Sequence, residues 1–416
     1  MKLFECFAGL GSQHRALCNV LNNKKFKSVG ISEWYISAII GNDTIHNGPQ
    51  NSFKGYDTLD RELMLNFISK FTLSMDSKTP YAHNKIKKFS YEKIRELYIA
   101  LKRTKNYGSI VDIRGKDLPK KIGILTYSFP CHDVSTAGKG AGLEIGTRSG
   151  LLWEVKRILS ELSLENNLPS YLLMENVKNL FSKKHIDGWN KFASFLESLG
   201  YKNTTMVLNA KDFGIPQSRE RAFCISELNG TDEIIVESKG SHINIHDFLD
   251  LNNDDLIEEY KEVLPNNTKS RIEWIEKSRH INNMSHCMTI TTKQDRWPNA
   301  GILFCDVNGK LVNNQNDWNI NGEVAPYRFL TPREQLQLFG FKSNDYDLLK
   351  NIGMSNSRIQ LMAGNSIVVP KLEAIFRAIL KRIKDKKLVK DSFIPINNIE
   401  YIIDGNDNFI AVPNVA

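Results

Sequence analysis

Short apolar runs alternate with amphipathic stretches through the first half of the chain. Residues 2–7 form an apolar run that ends in the glycine-containing turn 8–12. A helical pattern with one apolar face follows, and a second apolar run covers residues 27–32. This order predicts a strand, a glycine turn, a helix and a second strand, which together form a βαβ unit.

The same alternation continues further along the chain and predicts a single large sheet. Additional strands are predicted at residues 122–128, 171–174, 204–208 and 222–226, and helices at residues 151–162 and 189–199. About seven strands with helices between them predict one doubly wound α/β domain.

The chain is predicted to divide into this α/β domain, a smaller irregular domain and a tail. A polar, basic insertion with helical periodicity interrupts the α/β domain, and an acidic lead-in opens the smaller one. The tail has a glycine turn between two apolar runs, which is typical of a β-hairpin. In chain order these segments are residues 1–226 with the insertion at about 42–108, residues 227–327 with the lead-in 227–262, a return to the α/β domain at 328–390, and the tail 391–416.

Composition places the chain among globular proteins. Hydrophobic residues make up 41% and charged residues 25% of its 416 residues, and no apolar run approaches the ~18 residues that span a bilayer. Glu5 interrupts the apolar start of the chain, so this start predicts a strand rather than a secretory signal. We therefore expect a cytoplasmic protein without membrane contacts.

The net charge of +8 is unevenly distributed along the chain. Lys and Arg outnumber Asp and Glu by twelve to six over residues 51–108 and by eight to two over residues 371–390. Residues 227–262 hold eleven acidic and two basic side chains. The basic segments are compatible with binding to nucleic acid, although such runs are also typical of a solvated protein face.

The six cysteines stand at positions 6, 18, 131, 224, 287 and 305, and no two form a C-x-x-C pair. Their spacing argues against a zinc ribbon or a thioredoxin-type site, and no metal site is predicted. In a cytosolic chain of this size we expect free thiols, of which one could take part in chemistry.

A ligand site is predicted where the first two strands end. Gly9 and Gly11 follow the first strand, where the backbone of a doubly wound fold approaches nucleotide-like ligands. Glu33 ends the second strand, where a carboxylate can hold a ribose diol, and the face of Trp34 can stack on an adenine. No phosphate-binding Lys-Ser/Thr pair follows the turn, which argues against an ATPase. The alternative is a tight turn beside an amphipathic tryptophan.

A second group of chemically active side chains is predicted at the same edge of the sheet. Cys131 follows a strand and opens a glycine-containing loop, a position that favours a reactive thiolate. Glu175 ends the next strand. Alternation places Gln217, Arg219 and Arg221 on one face of a later extended segment. The alternatives are a buried, unreactive cysteine and ion-paired surface arginines.

These motifs, in this order, resemble those of the cytosine-C5 DNA methyltransferases. The matching segments are Phe7-Ala8-Gly9-Leu10-Gly11, Glu33-Trp34, Asp112-Ile113, Phe129-Pro130-Cys131, Thr147-Arg148-Ser149-Gly150-Leu151, Glu175-Asn176-Val177, Gln217-Ser218-Arg219-Glu220-Arg221, residues 328–334 and Ala363-Gly364-Asn365-Ser366. The resemblance implies a Rossmann-like methyltransferase sheet, with the irregular domain as a target-recognition domain. It also implies that S-adenosylmethionine binds to Phe7, Ala8, Gly9, Leu10, Gly11, Glu33, Trp34, Asp112, Ile113, Pro130, Leu151, Asn365 and Ser366.

The reaction implied by the resemblance is methyl transfer from S-adenosylmethionine to carbon 5 of a cytosine in duplex DNA. A base inside a duplex is stacked, so the enzyme must flip it into a pocket at a cost of a few kcal/mol. The thiolate of Cys131 would add to C6, Glu175 would serve N3, and Arg221 would hold the base carbonyl. Arg219 would help to fix the thiolate or the pocket, and no metal is required.

Double-stranded DNA is the implied partner, bound by a monomeric protein of bacterial or phage type. Sequence choice is expected within residues 264–327, where Lys, Gln and Arg side chains can contact base edges in the major groove. His132 stands where the family commonly has Gln, so it could change the contacts that fill the duplex after the base leaves. The predicted DNA contacts are His132, Gln217, Lys293, Gln294 and Arg296. Restriction–modification, phage self-protection and stand-alone genome methylation are the candidate biological roles.

Two other functions stay open at this point. A tRNA cytosine-C5 methyltransferase would share the motifs, but about 100 residues separate Ser226 from Arg328, which is enough for a separate DNA-recognition domain. A binding protein that has lost catalysis would not be expected to keep Cys131, Glu175 and Arg221.

Overall fold

A computed structural model of the chain describes residues 1–22, 26–130, 149–238, 240, 242–294, 298–312, 322–392, 399–403 and 409–413. The predicted site residues Cys131, His132 and Arg296 lie outside the described residues. In the part of the chain that is described, no helix combines the length and the apolar character needed to cross a membrane.

Strands and helices alternate through the α/β domain, as the apolar pattern predicts. The strands are β1 (Lys2–Cys6), β2 (Lys27–Ser32), β3 (Ile124–Tyr127), β4 (Tyr171–Val177), β5 (Tyr201–Asn209), β6 (Gln217–Ser218), β7 (Glu220–Leu228), β8 (Cys287–Met288), β9 (Leu303–Phe304), β10 (Tyr327–Arg328), β11 (Ile399–Ile403) and β12 (Phe409–Pro413). The α-helices are α1 (Ser12–Leu21), α2 (Ile36–Asn47), α3 (Arg61–Ile68), α4 (His83–Ile86), α5 (Tyr91–Arg103), α6 (Leu152–Leu164), α7 (Ile186–Ser198), α8 (Ile245–Phe248), α9 (Ile257–Lys261), α10 (Lys269–Lys277), α11 (Pro332–Gln337), α12 (Ser343–Asn351), α13 (Asn356–Asn365) and α14 (Val369–Ser392).

The central sheet has six strands in the order β2-β1-β3-β4-β7-β5. Strands β1 to β4 are parallel, whereas β7 runs antiparallel to both β4 and β5. The sheet has one strand fewer than the sequence suggests, and the short strand β6 pairs with β8 outside it. Because β1 to β4 are parallel, the loops that follow them meet at one edge, where doubly wound folds bind their ligands.

The two faces of the sheet are buried in different hydrophobic clusters. In β4, Tyr171 and Leu173 pack into a cluster that contains residues of α1, α13 and α14. Their neighbours Leu172 and Met174 pack into a second cluster with residues of α6 and α7. Alternate residues of one strand are thus buried on opposite faces, which explains the continuous apolar run in this part of the sequence.

The insertion forms a helical layer around α3, α4 and α5 with a hydrophobic cluster of its own, which includes Ile36 and Ile39 of α2. Its observed start is later than residue 42, because α2 continues to Asn47. The reason is local: Asn42 donates from Nδ2 to the Gly9 carbonyl at 3.1 Å, and His46 donates from Nε2 to the Leu10 carbonyl at 2.9 Å. This end of α2 therefore supports the loop after β1.

The acidic lead-in and the basic helix α14 pack against each other. Glu227 is buried, and its carboxylate pairs with Arg382 at 3.1 Å and with Lys386 at 2.8 Å. Lys371 in the first turn of α14 is also buried. Part of the basic run 371–390 is therefore used inside the protein and does not form a free cationic face. In the tail, the backbones of β11 and β12 pair antiparallel.

A buried ion pair marks the return of the chain to the α/β domain. Both side chains are inaccessible to solvent, and Arg328 Nη2 lies 2.8 Å from Glu334 Oε1. Glu334 also accepts the backbone N–H of Thr331 at 2.8 Å, which caps α11. A buried charge is stable only with a partner, so this pair fixes the junction between the irregular domain and α11.

We expect Glu334→Gln to lower the free energy of unfolding by about 3–5 kcal/mol, because it leaves the buried Arg328 guanidinium without its counter-ion. The exposed pair between Lys178 and Glu220 provides the matched control. Glu220→Gln should cost less than about 1 kcal/mol, since solvent screens this pair. Urea unfolding monitored by circular dichroism measures both values, and equal losses would contradict the assignment.

Candidate active site at the carboxyl edge of the sheet

A cavity of about 1010 Å³ opens at the carboxyl ends of β1 to β4. The loops after β1 and β2 line one part of it, and the ends of β3 and β4 line another. Residues of the irregular domain and of α13 complete the wall. Among the described residues, the topology therefore brings members of both predicted groups to one cavity: Gly9, Glu33, Trp34, Glu175, Arg219 and Arg221.

The Glu33 carboxylate ties the loop after β1 to the turn after β2. Its Oε2 accepts the backbone N–H of Gly9 at 2.9 Å, and its Oε1 accepts those of Trp34 and Tyr35 at 2.8 Å each. Burial raises the pKa of Glu33, and these three hydrogen bonds oppose the shift. Oε1 already accepts two hydrogen bonds, whereas Oε2 accepts one and keeps a lone pair that can accept from a hydroxyl group of a ligand.

Glycine occupies the two positions of this loop for different structural reasons. Gly9 has a φ of +54°, lines the cavity, and a Cβ placed there would meet no atom within 4 Å. Gly11 has a φ of +78°, and a Cβ there would lie 2.4 Å from Nε2 of His46. Gly11 is thus required for close packing on α2, whereas Gly9 leaves open space on the cavity side.

The second half of the cavity contains a carboxylate held from two sides. Ser128 donates from Oγ to Glu175 Oε2 at 2.6 Å, and Arg221 Nε lies 3.5 Å from Glu175 Oε1. Asn176 donates from Nδ2 to the Phe129 carbonyl at 3.1 Å, which joins the end of β4 to the loop that leads to residue 131. No sequence pattern signalled these roles of Ser128 and Asn176, because both side chains act through contacts that the fold creates.

Arg219 holds the walls of the cavity together. Its buried guanidinium donates from Nη1 to the Ile290 carbonyl at 2.9 Å. From Nη2 it donates to the carbonyls of Gly364 at 3.0 Å and Ser366 at 3.2 Å. Lys371 in turn donates to the Arg219 carbonyl at 3.2 Å. These contacts agree with a role of Arg219 in fixing the pocket.

Two of the predicted DNA contacts are buried inside the protein. Gln217 donates from Nε2 to the Leu338 carbonyl at 2.9 Å, and its Oε1 accepts the N–H of Ile290 at 3.2 Å. Gln294 is also inaccessible to solvent and accepts the N–H of Ala300 at 3.3 Å. Gln217 thus links Ile290 of the irregular domain to Leu338 at the end of α11, whereas Gln294 bonds within its own segment, and contact of either side chain with DNA stays a prediction. Lys293, by contrast, is exposed and lines the cavity.

The predicted cofactor residues divide into two groups. The cavity is lined by Phe7, Ala8, Gly9, Leu10, Glu33, Trp34, Pro130, Asn365 and Ser366. Gly11, Asp112, Ile113 and Leu151 are not among its lining residues in the described part of the chain. Asp112 is exposed at the end of a short 3-10 helix, and Ile113 is buried in the cluster that packs against α6. Contact of these four residues with a cofactor stays a prediction.

A buried polar cluster that the sequence did not predict lies beneath the loop after β1. Glu5 in β1 accepts the N–H of His14 at 3.1 Å, and burial raises its pKa to about 8. Burial also lowers the pKa of His14 to about 4. Both groups are therefore mainly neutral at neutral pH, and the 3.8 Å contact between their side chains is not an ion pair. The His14 ring packs against His46, with ring centroids 4.4 Å apart.

Comparisons with known proteins agree with this geometry. The family model for C-5 cytosine-specific DNA methylases matches residues 68–381. The type II methyltransferase M2.ScrFI of Lactococcus lactis subsp. cremoris is 36% identical over 391 residues, which are 92% of this chain and 99% of that protein. The orphan methyltransferase M.SssI of Spiroplasma monobiae is 43% identical over 233 residues, which are 55% of this chain and 60% of that protein.

Solved structures with the same fold include the Dnmt2 methyltransferase of S. pombe, with a TM-score of 0.61 and 18% identity over 92% of this chain and 99% of that one. A putative DNA modification methyltransferase from an E. coli prophage has a TM-score of 0.52 and 14% identity, covering 92% of this chain and 99% of that one. At these identities the likeness concerns the fold.

We expect the free energy of unfolding of the wild-type protein to fall as the pH rises, and we expect Glu5→Gln to remove this fall. The raised pKa of Glu5 means that folding favours its protonated form, so its contribution is present at low pH and is lost as the pH approaches about 8. The titration of the histidines in the unfolded chain is shared by both proteins, so the difference between their pH profiles from pH 6.5 to pH 8 isolates Glu5.

Over this interval the wild type should lose up to ~1.4 kcal/mol per pH unit relative to Glu5→Gln. Urea unfolding of both proteins across the interval measures this difference. Parallel pH profiles would show that Glu5 is already ionised in the folded protein.

Proposed function

The chain belongs to the C-5 cytosine-specific DNA methylase family, and we propose that its cavity transfers a methyl group from S-adenosylmethionine to carbon 5 of a cytosine flipped out of duplex DNA. The chain is a DNA (cytosine-5-)-methyltransferase, since the family match spans residues 68–381 and a type II methyltransferase is 36% identical over 92% of this chain. One observation carries the assignment of its site: the Glu33 and Glu175 carboxylates line the same cavity.

The residues around Glu33 fit S-adenosylmethionine. Oε2 of Glu33 keeps acceptor capacity for a hydroxyl group of a ribose diol, and the aromatic Trp34 lines the same cavity. Gly9 leaves open space beside them, as its missing Cβ would meet no atom within 4 Å. We assign Asn365 and Ser366 to the same ligand because they line the adjoining wall. When bound, the cofactor supplies an electrophilic methyl group.

The residues around Glu175 fit a cytosine ring. Carbon 5 is a poor nucleophile, and it becomes reactive when a thiolate adds to C6 and N3 takes up a proton. We assign the thiolate to Cys131, which directly follows the cavity-lining Pro130. We assign the proton at N3 to Glu175, and the hold on the base carbonyl to Arg221.

After C5 has taken the methyl group, the C5 proton leaves to a base, the Cys131 thiolate departs from C6, and the N3 proton returns to Glu175, which gives neutral 5-methylcytosine and restores the starting enzyme. Ser128 acts through Glu175, because its 2.6 Å hydrogen bond fixes the carboxylate in the plane where it must meet the ring. Arg219 acts as a positioning residue through the pocket walls that it joins.

DNA rather than tRNA is the proposed substrate. The matching family and both relatives named above are methyltransferases, and the family description specifies DNA. Residues 227–327 supply the additional domain that a sequence-specific DNA enzyme needs. The similarity to a type II methyltransferase supports a place in a restriction–modification system. We further propose that the protein acts on DNA as a monomer.

Incubation with labelled S-adenosylmethionine and either duplex DNA or tRNA tests the substrate directly. We expect label in DNA only, and bisulfite sequencing should place it at cytosines within one short sequence. Label in tRNA alone would support the rival function.

We expect Cys131→Ala to abolish methyl transfer while duplex binding is retained. Wild-type protein should form a covalent adduct with duplex that carries 5-fluorocytosine at the target, because the fluorine at C5 cannot leave as a proton does. The variant should form none, since it lacks the thiolate. Denaturing electrophoresis detects the adduct, and an adduct with Cys131→Ala would move the nucleophile elsewhere.

Arg296→Ala should relax sequence choice, if this side chain contacts a guanine edge in the major groove, by about 1–3 kcal/mol at one base pair. Gln294→Ala is the matched comparison, because Gln294 is buried and should affect folding more than base choice. Methylation maps of both variants measure the effect. An unchanged map for Arg296→Ala would remove this residue from recognition.

A further inference from the structure

A loop of the basic insertion reaches the active-site cavity. Met75, Asp76, Ser77 and Lys78 line it beside Trp34. The motifs that resemble known methyltransferases give this part of the chain no role. The other feature of the insertion, its excess of Lys and Arg, predicts contacts with phosphates rather than with a cavity.

Two backbone hydrogen bonds attach this loop to the cofactor turn. The N–H of Ser74 donates to the Trp34 carbonyl at 2.7 Å, and the N–H of Ile36 donates to the Ser74 carbonyl at 2.9 Å. Ser74 itself is inaccessible to solvent. The preceding residue, Leu73, is equally buried and belongs to the hydrophobic cluster of the insertion. The loop is therefore anchored on both the cofactor turn and its own helical layer.

Asp76 fixes the shape of the loop. Its Oδ1 accepts the N–H groups of Lys78 and Thr79 at 2.8 Å each and the Oγ of Ser74 at 3.0 Å. Its Oδ2 accepts Oγ1 of Thr79 at 3.1 Å. The backbone hydrogen bonds lower the pKa of Asp76 to about 2. The loop thus has one well-defined shape before any ligand binds, which reduces the entropy cost of binding.

Met75 stands between two cavities. A second cavity of about 770 Å³ lies between the insertion, α2 and the start of α13. Met75 and Arg358 are the residues that line both cavities among the described residues. Arg358 is exposed, whereas Met75 is half-buried. The apolar Met75 side chain therefore contributes to the walls of both cavities, and in the active-site cavity it lies beside Trp34.

We propose that residues 73–79 of the insertion form the outer wall of the S-adenosylmethionine site, with Met75 as a direct contact and Asp76 as the residue that positions it. This inference rests on the proposed function. A methionine side chain suits the place, because its polarizable thioether packs well against aromatic rings such as adenine. The insertion then has a role in cofactor binding that does not depend on its positive charge.

Titration calorimetry with S-adenosylhomocysteine, in the absence of DNA, tests the proposal. Met75→Ala should weaken binding about five- to tenfold, as expected for the loss of apolar contact area, and Met75→Leu should retain most of the affinity. Asp76→Ala should weaken binding about three- to tenfold by releasing the loop. Asp76→Asn keeps an acceptor at Oδ1 and should bind nearly as well as the wild type.

Asp57→Ala is the matched control, because Asp57 is an exposed aspartate of the same insertion that lines neither cavity. Its affinity should equal that of the wild type. Trp34→Ala should weaken binding independently of the loop. Wild-type affinity in Met75→Ala and Asp76→Ala, together with weak binding in Trp34→Ala, would contradict the proposed role of residues 73–79. The proposed function would remain intact.

DNA binding distinguishes the rival role of the loop. We expect Lys78→Ala to leave the salt dependence of duplex binding unchanged, whereas a slope reduced by about 1 would make Lys78 a phosphate contact and the loop part of the DNA surface. Failure of the wild-type protein to bind S-adenosylhomocysteine at all would overturn both the wall and the proposed cofactor.

Discussion

The buried guanidinium of Arg219 is the constraint on which the active site depends. It donates to carbonyl oxygens of Ile290, Gly364 and Ser366, which come from the irregular domain and from the end of α13. A charge that is removed from water must keep its hydrogen-bond partners, because an uncompensated buried charge costs several kcal/mol. These distant segments therefore have to close around Arg219, which directly precedes β7, the strand that carries Arg221.

This closure packs the irregular domain against the residues that we assign to the cofactor. Gly364 shows how tight the contact is, since a Cβ there would lie 2.6 Å from the backbone nitrogen of Thr292. Thr292 and Lys293 line the same cavity as Asn365 and Ser366. The residues that we assign to the cofactor therefore lie directly against the irregular domain.

Three carboxylates at this edge of the sheet have different partners and therefore different roles. Glu33 is bound by three backbone N–H groups and orders two loops, whereas Glu175 is held by the side chains of Ser128 and Arg221. Glu5 lies in β1 just before the loop and is buried next to the neutral His14, whose ring packs against that of His46. The same chemical group thus serves as an organiser of backbone, a candidate proton donor and a structural acid.

The order of strands and helices was predictable from the sequence alone, because apolar periodicity depends on neighbours along the chain. The sequence also placed Glu33 and Glu175 at one edge of the sheet, because residues at the carboxyl ends of parallel strands must meet there. The sequence could not decide which polar side chains of an extended segment become buried. Gln217 and Gln294 looked suited to DNA, but both are buried: Gln217 bonds to the distant Leu338, and Gln294 bonds to Ala300 in its own segment.

The role that we propose for the insertion was equally hidden, since Met75 lines the cavity next to Ser74, which pairs with the distant Trp34. Burial and pairing between distant parts of the chain are set by tertiary packing, and no local pattern records them.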